Sequence, residues 1–266
     1  MAASPFEHVM DTQVWEFFET LGLKIHLPFF LTKFMILELV AAGLIVAIYV
    51  PLARRAENGE PVRGRFWNAF ESLLTFIRDQ VAKPSIGEHD ADRFVPFLWT
   101  MFLFILFCNL LGLFPFMGSP TASISVTAGL ALCSALVIHG APVAKMGFAH
   151  YLKSYIPHLD VPFGLGYFLV PMIFAIEIFG HGIKAVILAV RLFANMFAGH
   201  TVLAVMLLFI VMAKNATWYI FWPITSVSVL GVAALSLLEL LVGFIQAYVF
   251  VFLTAIFLGL TLHPQH

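Results

Sequence analysis

Long apolar runs alternate with short polar connections along most of the 266-residue chain. Three of these runs have the length of one membrane crossing, because about 20 helical residues cover a hydrocarbon core of ~30 Å. Turn-forming residues lie where the runs end. The pattern therefore predicts membrane-crossing helices over residues 34–52, 94–116 and 122–140, with Pro142 closing the third helix.

Between the first two crossings the periodicity changes to that of a helix with one apolar face. Charged side chains in residues 65–83 lie largely on one side, while apolar side chains recur at helical spacing on the other. An amphipathic helix of this kind lies in the plane of the membrane interface. We therefore predict a membrane-surface helix over residues 65–83, whose apolar face comprises Phe66, Phe70, Leu73, Leu74, Ile77 and Val81.

The first 33 residues differ from this pattern. They are acidic and lack a basic segment followed by an apolar one, so they do not resemble a cleaved signal peptide. Val14, Phe17, Phe18 and Leu21 lie at helical spacing, which predicts a short amphipathic or interfacial stretch. We thus expect an N-terminal segment over residues 1–33 and a single polytopic membrane domain over residues 34–266.

The last two apolar stretches are too long for ordinary crossings. Each contains about 40 residues without an internal proline, or roughly 60 Å of helix, about twice the hydrocarbon thickness. A tilt of about 20° does not absorb that excess. Each stretch therefore forms either two crossings or one steeply tilted helix. We place them at residues 168–213 and 223–262, joined by an interfacial turn that carries Trp218, Tyr219 and Trp222.

Composition identifies the solvent of these helices. The chain is 61% hydrophobic and 11% charged, with a mean hydropathy of +0.97, whereas soluble domains carry about 25% charged residues. We therefore predict an all-α integral membrane protein with about five membrane-crossing helices. A net charge of −1 gives no indication of a nucleic-acid partner. Cys108 and Cys133 lie in apolar runs and the histidines lack ligand spacing, so we expect neither a cofactor nor a metal.

Basic residues indicate how the chain is oriented in the membrane. Arg54, Arg55, Arg63 and Arg65 follow the first crossing, and clusters of this kind stay on the inner side. If the two long stretches count as one crossing each, the N-terminus lies outside and the C-terminus lies inside.

Ionisable residues inside apolar helices are costly and are usually functional. In the first long stretch, five polar residues share one helical face that spans about 80°. His200 lies off that face, about 140° around the helix from Glu177. The last stretch carries a second polar face, which includes Glu239 and Gln246. The five residues of the first face are Glu177, His181, Lys184, Arg191 and Asn195.

Arg191 is the most informative of these residues. A guanidinium stays protonated, so it does not relay a proton, but it favours the ionised form of a nearby carboxylate. It is thus a candidate gate that blocks leakage between two half-paths. Two structural interpretations remain open, an ion pair with Glu177 or Glu239 and a side chain that extends to an interface. His200 and Glu239 can both transfer protons, or they form a buried pair that locks the helices.

Several motifs together resemble subunit a of F-type ATP synthases. The most specific is RLFANMFAGH at residues 191–200, preceded by EIFGHGIK at residues 177–184 and followed by IQAYVFVFLT at residues 245–254. NLLGLFP at residues 109–115 and PTASISVT at residues 120–127 match as well. The resemblance extends from residue 64 to the C-terminus.

This resemblance implies a static, non-catalytic subunit beside a rotating ring of c subunits, with two offset half-channels that lead protons to and from the ring carboxylates. It also implies a b-type peripheral stalk as a partner, and two long helices that form a steeply tilted hairpin against the ring. The expected location is an energy-transducing membrane, either the inner membrane of a bacterium or that of a mitochondrion. The residues implied in proton translocation are Arg191, Asn195, His200, Glu239, Gln246 and Glu177, with His181 and Lys184 in support.

The sequence departs from the family pattern at one pair. Many bacterial members carry glutamate at the position of His200 and histidine at the position of Glu239. The two are exchanged here, as in mitochondrial members, so an acid and an imidazole still face each other. Two other classes of function remain open, a secondary transporter that binds an anionic substrate at Arg191 and a structural scaffold. Transporters commonly contain inverted repeats, and we find none in this sequence.

Overall fold

The computed structural model describes residues 14–18, 23–26, 32–57, 64–114, 118–148, 151, 166–214 and 217–263. Five of its helices are long and apolar enough to cross a membrane, so the predicted number of crossings is confirmed. The two short helices α2 and α3 lie between the first and second of them. The helices are α1 (Lys33–Glu57), α2 (Arg65–Phe76), α3 (Lys83–Ile86), α4 (Glu88–Gly112), α5 (Ile124–Met146), α6 (Gly166–Ala213) and α7 (Trp218–Leu262).

α1 and α4, the first two crossing helices, extend beyond the predicted apolar runs at their charged ends. α1 continues through Pro51 to Glu57, five residues beyond the predicted end. α4 begins at Glu88, six residues before the predicted start, because its acidic first turn favours a helix N-terminus. α4 also ends at Gly112, four residues before the predicted end at 116.

The two long apolar stretches each form one continuous helix, and this excludes the alternative of two crossings apiece. α6 has 48 residues and α7 has 45, which correspond to about 72 Å and 68 Å of helix. α7 begins at Trp218, five residues before the predicted start, and Pro223 lies inside it. Proline is tolerated in membrane helices because neighbouring groups satisfy the backbone that it leaves free.

The third crossing also passes through a proline, contrary to the prediction that Pro142 closes it. α5 continues to Met146 and is followed by Gly147, whose φ of 82° is the left-handed conformation that glycine adopts readily. Pro142 has no N–H to donate to the carbonyl of Ile138. The hydroxyl of Thr261 on α7 donates to that carbonyl instead, at 3.0 Å.

The N-terminal segment contains two strands where the helical spacing of its apolar residues predicted an amphipathic or interfacial stretch. β1 (Val14–Phe18) pairs antiparallel with β2 (Leu23–His26), with Val14 opposite His26 and Trp15 opposite Ile25. Apolar and polar residues alternate in β2, and aromatic and β-branched residues favour strands. These local preferences outweigh the helical spacing.

The predicted surface helix is helical throughout, but its second half also buries one face in the bundle. α2 has no buried residue, whereas the π-helical continuation (Ile77–Ala82) and α3 are buried at Ile77, Val81 and Ile86. Arg78 in the π-helical turn binds Asp92 of α4 at 2.8 Å, and this carboxylate raises the pKa of the guanidinium. The extra residue of a π-helical turn lets the segment bend from the surface into the core.

The hydrophobic core lies where α4 and the last part of α7 meet α3 and α5. Leu98 and Phe102 of α4 pack there with Phe250 and Leu258 of α7, and all four are almost fully buried. At one end of this core, Asp90 binds Lys145 of α5 at 2.6 Å and His263, just after α7, at 3.2 Å. Three helix ends are thereby held at one surface of the bundle.

Candidate functional site

Arg191 lies at the centre of α6, 25 residues after Gly166 and 22 residues before Ala213. Its side chain is exposed on an apolar surface that includes Val186, Ile187 and Val190. Among the side chains that the structure describes, none forms a hydrogen bond or an ion pair with its guanidinium. The alternative of an ion pair with Glu239 is therefore excluded. A charged side chain in the middle of a membrane-crossing helix is costly unless it pairs with another group or reaches water.

Two other members of the α6 polar face have described side chains. Asn195 is half-buried one turn beyond Arg191. Lys184 lies before Arg191 along α6, toward Gly166. Its ammonium is 5.0 Å from the centroid of the Phe257 ring on α7, a cation–π contact. The side chains of Glu177 and His181 lie outside the described residues, so their placement stays a prediction.

His200 and Glu239 face each other between α6 and α7. Nδ1 of His200 lies 3.7 Å from Oε1 of Glu239, and the side chains are 11% and 6% exposed. Within the described residues, Nε2 of His200 and both carboxylate oxygens of Glu239 are buried without a hydrogen-bond partner. Leaving such a group unsatisfied costs about 1–3 kcal/mol, more if it is charged, so the pair is energetically costly as it stands within the described residues.

Two glycines allow α6 and α7 to approach closely beside this pair. A Cβ atom at Gly199 would lie 2.8 Å from Oε1 of Glu239, and one at Gly243 would lie 3.1 Å from the terminal methyl of Met196. Residue 199 of α6 thus lies opposite residue 239 of α7, and residue 196 lies opposite residue 243, as in an antiparallel pair of helices. The same register places Gln246, which is 7% exposed, level with the residues next to Arg191.

A buried network of polar groups holds α7 to α4 at the same height. The amide nitrogen of Asn109 donates to the carbonyl of Gly243 at 2.9 Å, and the hydroxyl of Thr121 donates to the amide oxygen of Asn109 at 2.7 Å. Ser119 lies 2.7 Å from Thr121, and all three side chains are nearly inaccessible. Sequence reasoning used these residues only as motif matches. An asparagine inside an apolar run was the signal that could have identified the contact.

The polar groups follow one another along α6. His200, paired with Glu239, lies toward the Ala213 end, Lys184 lies toward the Gly166 end, and Arg191 lies between them. An imidazole and a carboxyl group thus lie on one side of a permanent cation, and a second polar site lies on the other side. Within the described part of the chain, no group of three or more His, Cys, Asp or Glu residues could hold a metal ion.

Known proteins match most of the length of this chain. Residues 34–259 match the family described as "ATP synthase A chain". The chain is 37% identical to the ATP synthase subunit a of Myxococcus xanthus, over 89% of this chain and 74% of that one. It is 35% identical to that of Chloroherpeton thalassium, over 97% and 77% of the two chains.

A third relative is longer. The chain is 37% identical to the ATP synthase subunit a of Anaeromyxobacter dehalogenans (strain 2CP-C) over 92% of this chain, but it spans only 62% of that protein. The match over most of this sequence confirms the resemblance carried by the motifs at residues 177–200 and 245–254. The chain therefore belongs to the ATP synthase A chain family, whose members include these subunits a.

Proposed function

We propose that this chain is the stator subunit that carries protons to and from a ring of c subunits through two offset half-channels. As a member of its family it is a component of an ATP synthase, and the proposed role couples the proton gradient to ATP synthesis. The proposed subunit is non-catalytic: it translocates protons and takes no part in the nucleotide chemistry. A b-type peripheral stalk is its second proposed partner.

The observation that carries the proposal is the exposed guanidinium of Arg191 at the centre of an apolar helix face. Exposure to lipid at that depth is unfavourable, whereas a carboxylate on a neighbouring subunit would neutralise the charge. The cation favours the ionised form of each carboxylate that arrives, and so releases its proton. Because guanidinium keeps its own proton, it also interrupts a direct path between the two half-channels.

The remaining residues are assigned by their position relative to Arg191. Asn195 and Gln246 would orient the carboxylate at the contact. His200 and Glu239 would pass protons on the side of Ala213, since an imidazole and a carboxylate can each exchange a proton in a desolvated site. On the side of Gly166, the proposed access path contains Glu177, His181 and Lys184.

The distribution of basic residues supports an orientation. Helix connectivity and the contacts of Asp90 define one surface of the bundle, and most of the described basic side chains near the helix ends belong to it. By the positive-inside rule that surface faces the cell interior. We propose that the C-terminus lies inside, the N-terminus lies outside, and the membrane is a bacterial inner membrane. The basic residues are Arg54, Arg65, Arg78, Lys83, Arg93 and Lys145 on that surface, against Lys33 and Lys214 at the opposite ends.

Replacement of the central cation tests the proposal. In membrane vesicles that contain the complete ATP synthase, Arg191→Ala should lower proton-driven ATP synthesis by at least about a hundredfold, because the electrostatic contact with the carboxylate is lost. Passive proton leak through the assembled complex should rise. Arg65→Ala removes an exposed arginine at the start of α2 and should leave both rates unchanged. Normal coupled synthesis in Arg191→Ala would reject the proposal.

Proximity to the ring is tested separately by cross-linking. In a chain without the exposed Cys133, a cysteine at Val190, exposed beside Arg191, should form a disulfide with a cysteine beside the ring carboxylate. A cysteine at Val46, exposed on α1, serves as the control. Equal yields from the two positions would contradict the assignment of the Arg191 face to the ring.

A further inference from the structure

A small cavity lies between α5, α6 and α7, on the side of Arg191 toward Gly166. Its volume is about 20 Å³, and a water molecule needs about 10–15 Å³. Ser134, His139 and Lys184 contribute polar side chains to its wall. Because three of its lining residues carry polar side chains, the cavity is suited to hold water rather than to stay dry.

Lys184 connects this cavity to the central arginine. It lies seven residues before Arg191 on the same face of α6, about 10 Å along the helix axis. Its ammonium contacts the ring of Phe257, which also lines the cavity. The cavity therefore continues the polar face of α6 from Arg191 toward the proposed inner surface.

His139 connects the cavity to the end of α5. Its Nδ1 atom lies 2.6 Å from the hydroxyl oxygen of Tyr151, a residue that follows α5 and is only 7% exposed. An imidazole and a phenol can each donate and accept a hydrogen bond. The two side chains thus form a hydrogen-bonded link that leads from the cavity in the direction of the inner surface.

We propose that His139 is a proton-transfer residue of the inner half-channel, working through water in the cavity and through Tyr151. This inference rests on the proposed function, in which protons leave the ring beside Arg191. A proton enters the imidazole at Nε2 from water in the cavity, the Nδ1 proton leaves to the oxygen of Tyr151, and the hydroxyl proton of Tyr151 leaves to water on the inner side. One proton enters and one leaves, and the ring exchanges tautomers before the next transfer.

Several charged groups lie around His139. Lys184 is the described charged group that lines the same cavity from α6. Glu177 and His181 share the α6 face by position, although their side chains lie outside the described residues. The charged groups at the inner ends of α4, α5 and α7 are Asp90, Lys145 and His263.

A structural role for the same hydrogen bond is the competing interpretation, and chemical rescue separates the two. In inverted vesicles, whose outer bath contacts the inner half-channel, His139→Ala should slow ATP-driven proton pumping at least about tenfold. Imidazole in the bath should restore pumping. As the bath pH is varied, the restored pumping rate should follow the buffering capacity of the imidazole. Pyrazole has a similar size but does not buffer in this pH range, so it should not restore pumping.

The control is His263→Ala, which removes an exposed histidine near the same surface and should neither slow pumping nor respond to imidazole. If His139→Ala assembles poorly, His139→Gln keeps a hydrogen-bonding side chain without a titrating one and should show the same slow pumping. Wild-type pumping in His139→Gln, or equal rescue by imidazole and pyrazole, would overturn the inference.

The same vesicles distinguish this inference from the proposed function. Loss of pumping in Arg191→Ala together with normal pumping in both His139 variants would reject only the role of His139. Normal coupling in Arg191→Ala would reject the proposed function, whatever the His139 variants do.

Discussion

The two halves of α7 differ in what they bury, although they belong to one uninterrupted helix. Over residues 218–245, the buried side chains are those of Ser228 and Glu239, and the buried glycine is Gly243. Over residues 246–262, most positions are buried and most of the buried side chains are apolar. The buried residues of this second half are Gln246, Ala247, Phe250, Val251, Thr254, Ala255, Leu258, Gly259, Thr261 and Leu262.

This contrast separates stability from function along a single element. The second half packs against α3, α4 and α5, and its close contacts hold the helix in place. The first half contacts mainly α6 and leaves a broad apolar surface free for lipid or for a neighbouring subunit. Glu239 is a buried acid without a hydrogen-bond partner in the described part of the chain, and it is tolerated in the first half because the second half anchors the helix.

The largest expected effect lies in the anchoring half. A Cβ atom at Gly259 would overlap the backbone carbonyl of Ser85, so Gly259→Ala forces α3 and α7 apart. Overpacking of this kind costs about 1–3 kcal/mol or more. We expect a large loss of folded subunit and of assembled complex, measured by the amount retained in detergent-extracted membranes after mild heating.

Gly129→Ala provides the matched control for this substitution. Gly129 lies within α5, and no described atom beyond the adjacent backbone of that helix lies within 4 Å of the position of its Cβ. Alanine also favours helices over glycine, so the variant should be as stable as the parent protein or slightly more stable. Equal stability of the two alanine variants would contradict the assignment of the anchoring role to the second half of α7.

The next-largest effect is expected in the first half of α7, where a substitution should lower the pumping rate without lowering the stability of the complex. Glu239→Gln keeps the shape of the side chain but removes the group that exchanges a proton, so ATP-driven pumping should fall at least about tenfold. The amount of assembled complex should not fall. Thr254→Val, in the second half, is the comparison variant for the pumping rate. Among the described residues, the Thr254 hydroxyl donates to the carbonyl of Phe250 in its own helix. Unchanged pumping in Glu239→Gln would mean that the acid only packs between the helices.

Much of the fold follows from hydrophobic length, because five apolar stretches must each find a way across the membrane. Length alone did not decide between two crossings and one tilted helix for α6 and α7. Pro142 was misleading for a related reason, since its effect depends on Thr261, which lies 119 residues later in the sequence. Helical spacing near Val14 was misleading because short segments also satisfy strand preferences.

The site was predictable to the extent that it lies on one helix. Periodicity identified Arg191, Asn195 and Lys184 as one face of α6 without any knowledge of their neighbours. It separated His200 from that face, and the reason is that the partner of His200 lies on α7. The contact with Glu239 depends on the approach of two helices at Gly199, which projection of a single helix cannot show.

The smallest expected effect concerns that approach. Gly199→Ala would place a Cβ atom 2.8 Å from Oε1 of Glu239. Because the carboxylate is the flexible end of its side chain, it can move aside without separating the helices. We expect normal assembly with pumping reduced by about two- to fivefold, since a small misplacement of a reacting group slows its reaction.

Two comparisons isolate the cause of this effect. Gly231→Ala adds the same methyl group to α7, where Met206 is at an ordinary contact distance of 3.7 Å, and it should pump normally. Combining Gly199→Ala with Glu239→Asp shortens the acid by one methylene and makes room for the new methyl group. If displacement of the carboxylate is the cause, the double variant should pump faster than the product of the two single effects predicts. Strictly multiplicative effects would instead indicate that Gly199 serves only the packing of α6 and α7, and that the position of the Glu239 carboxylate does not limit the rate.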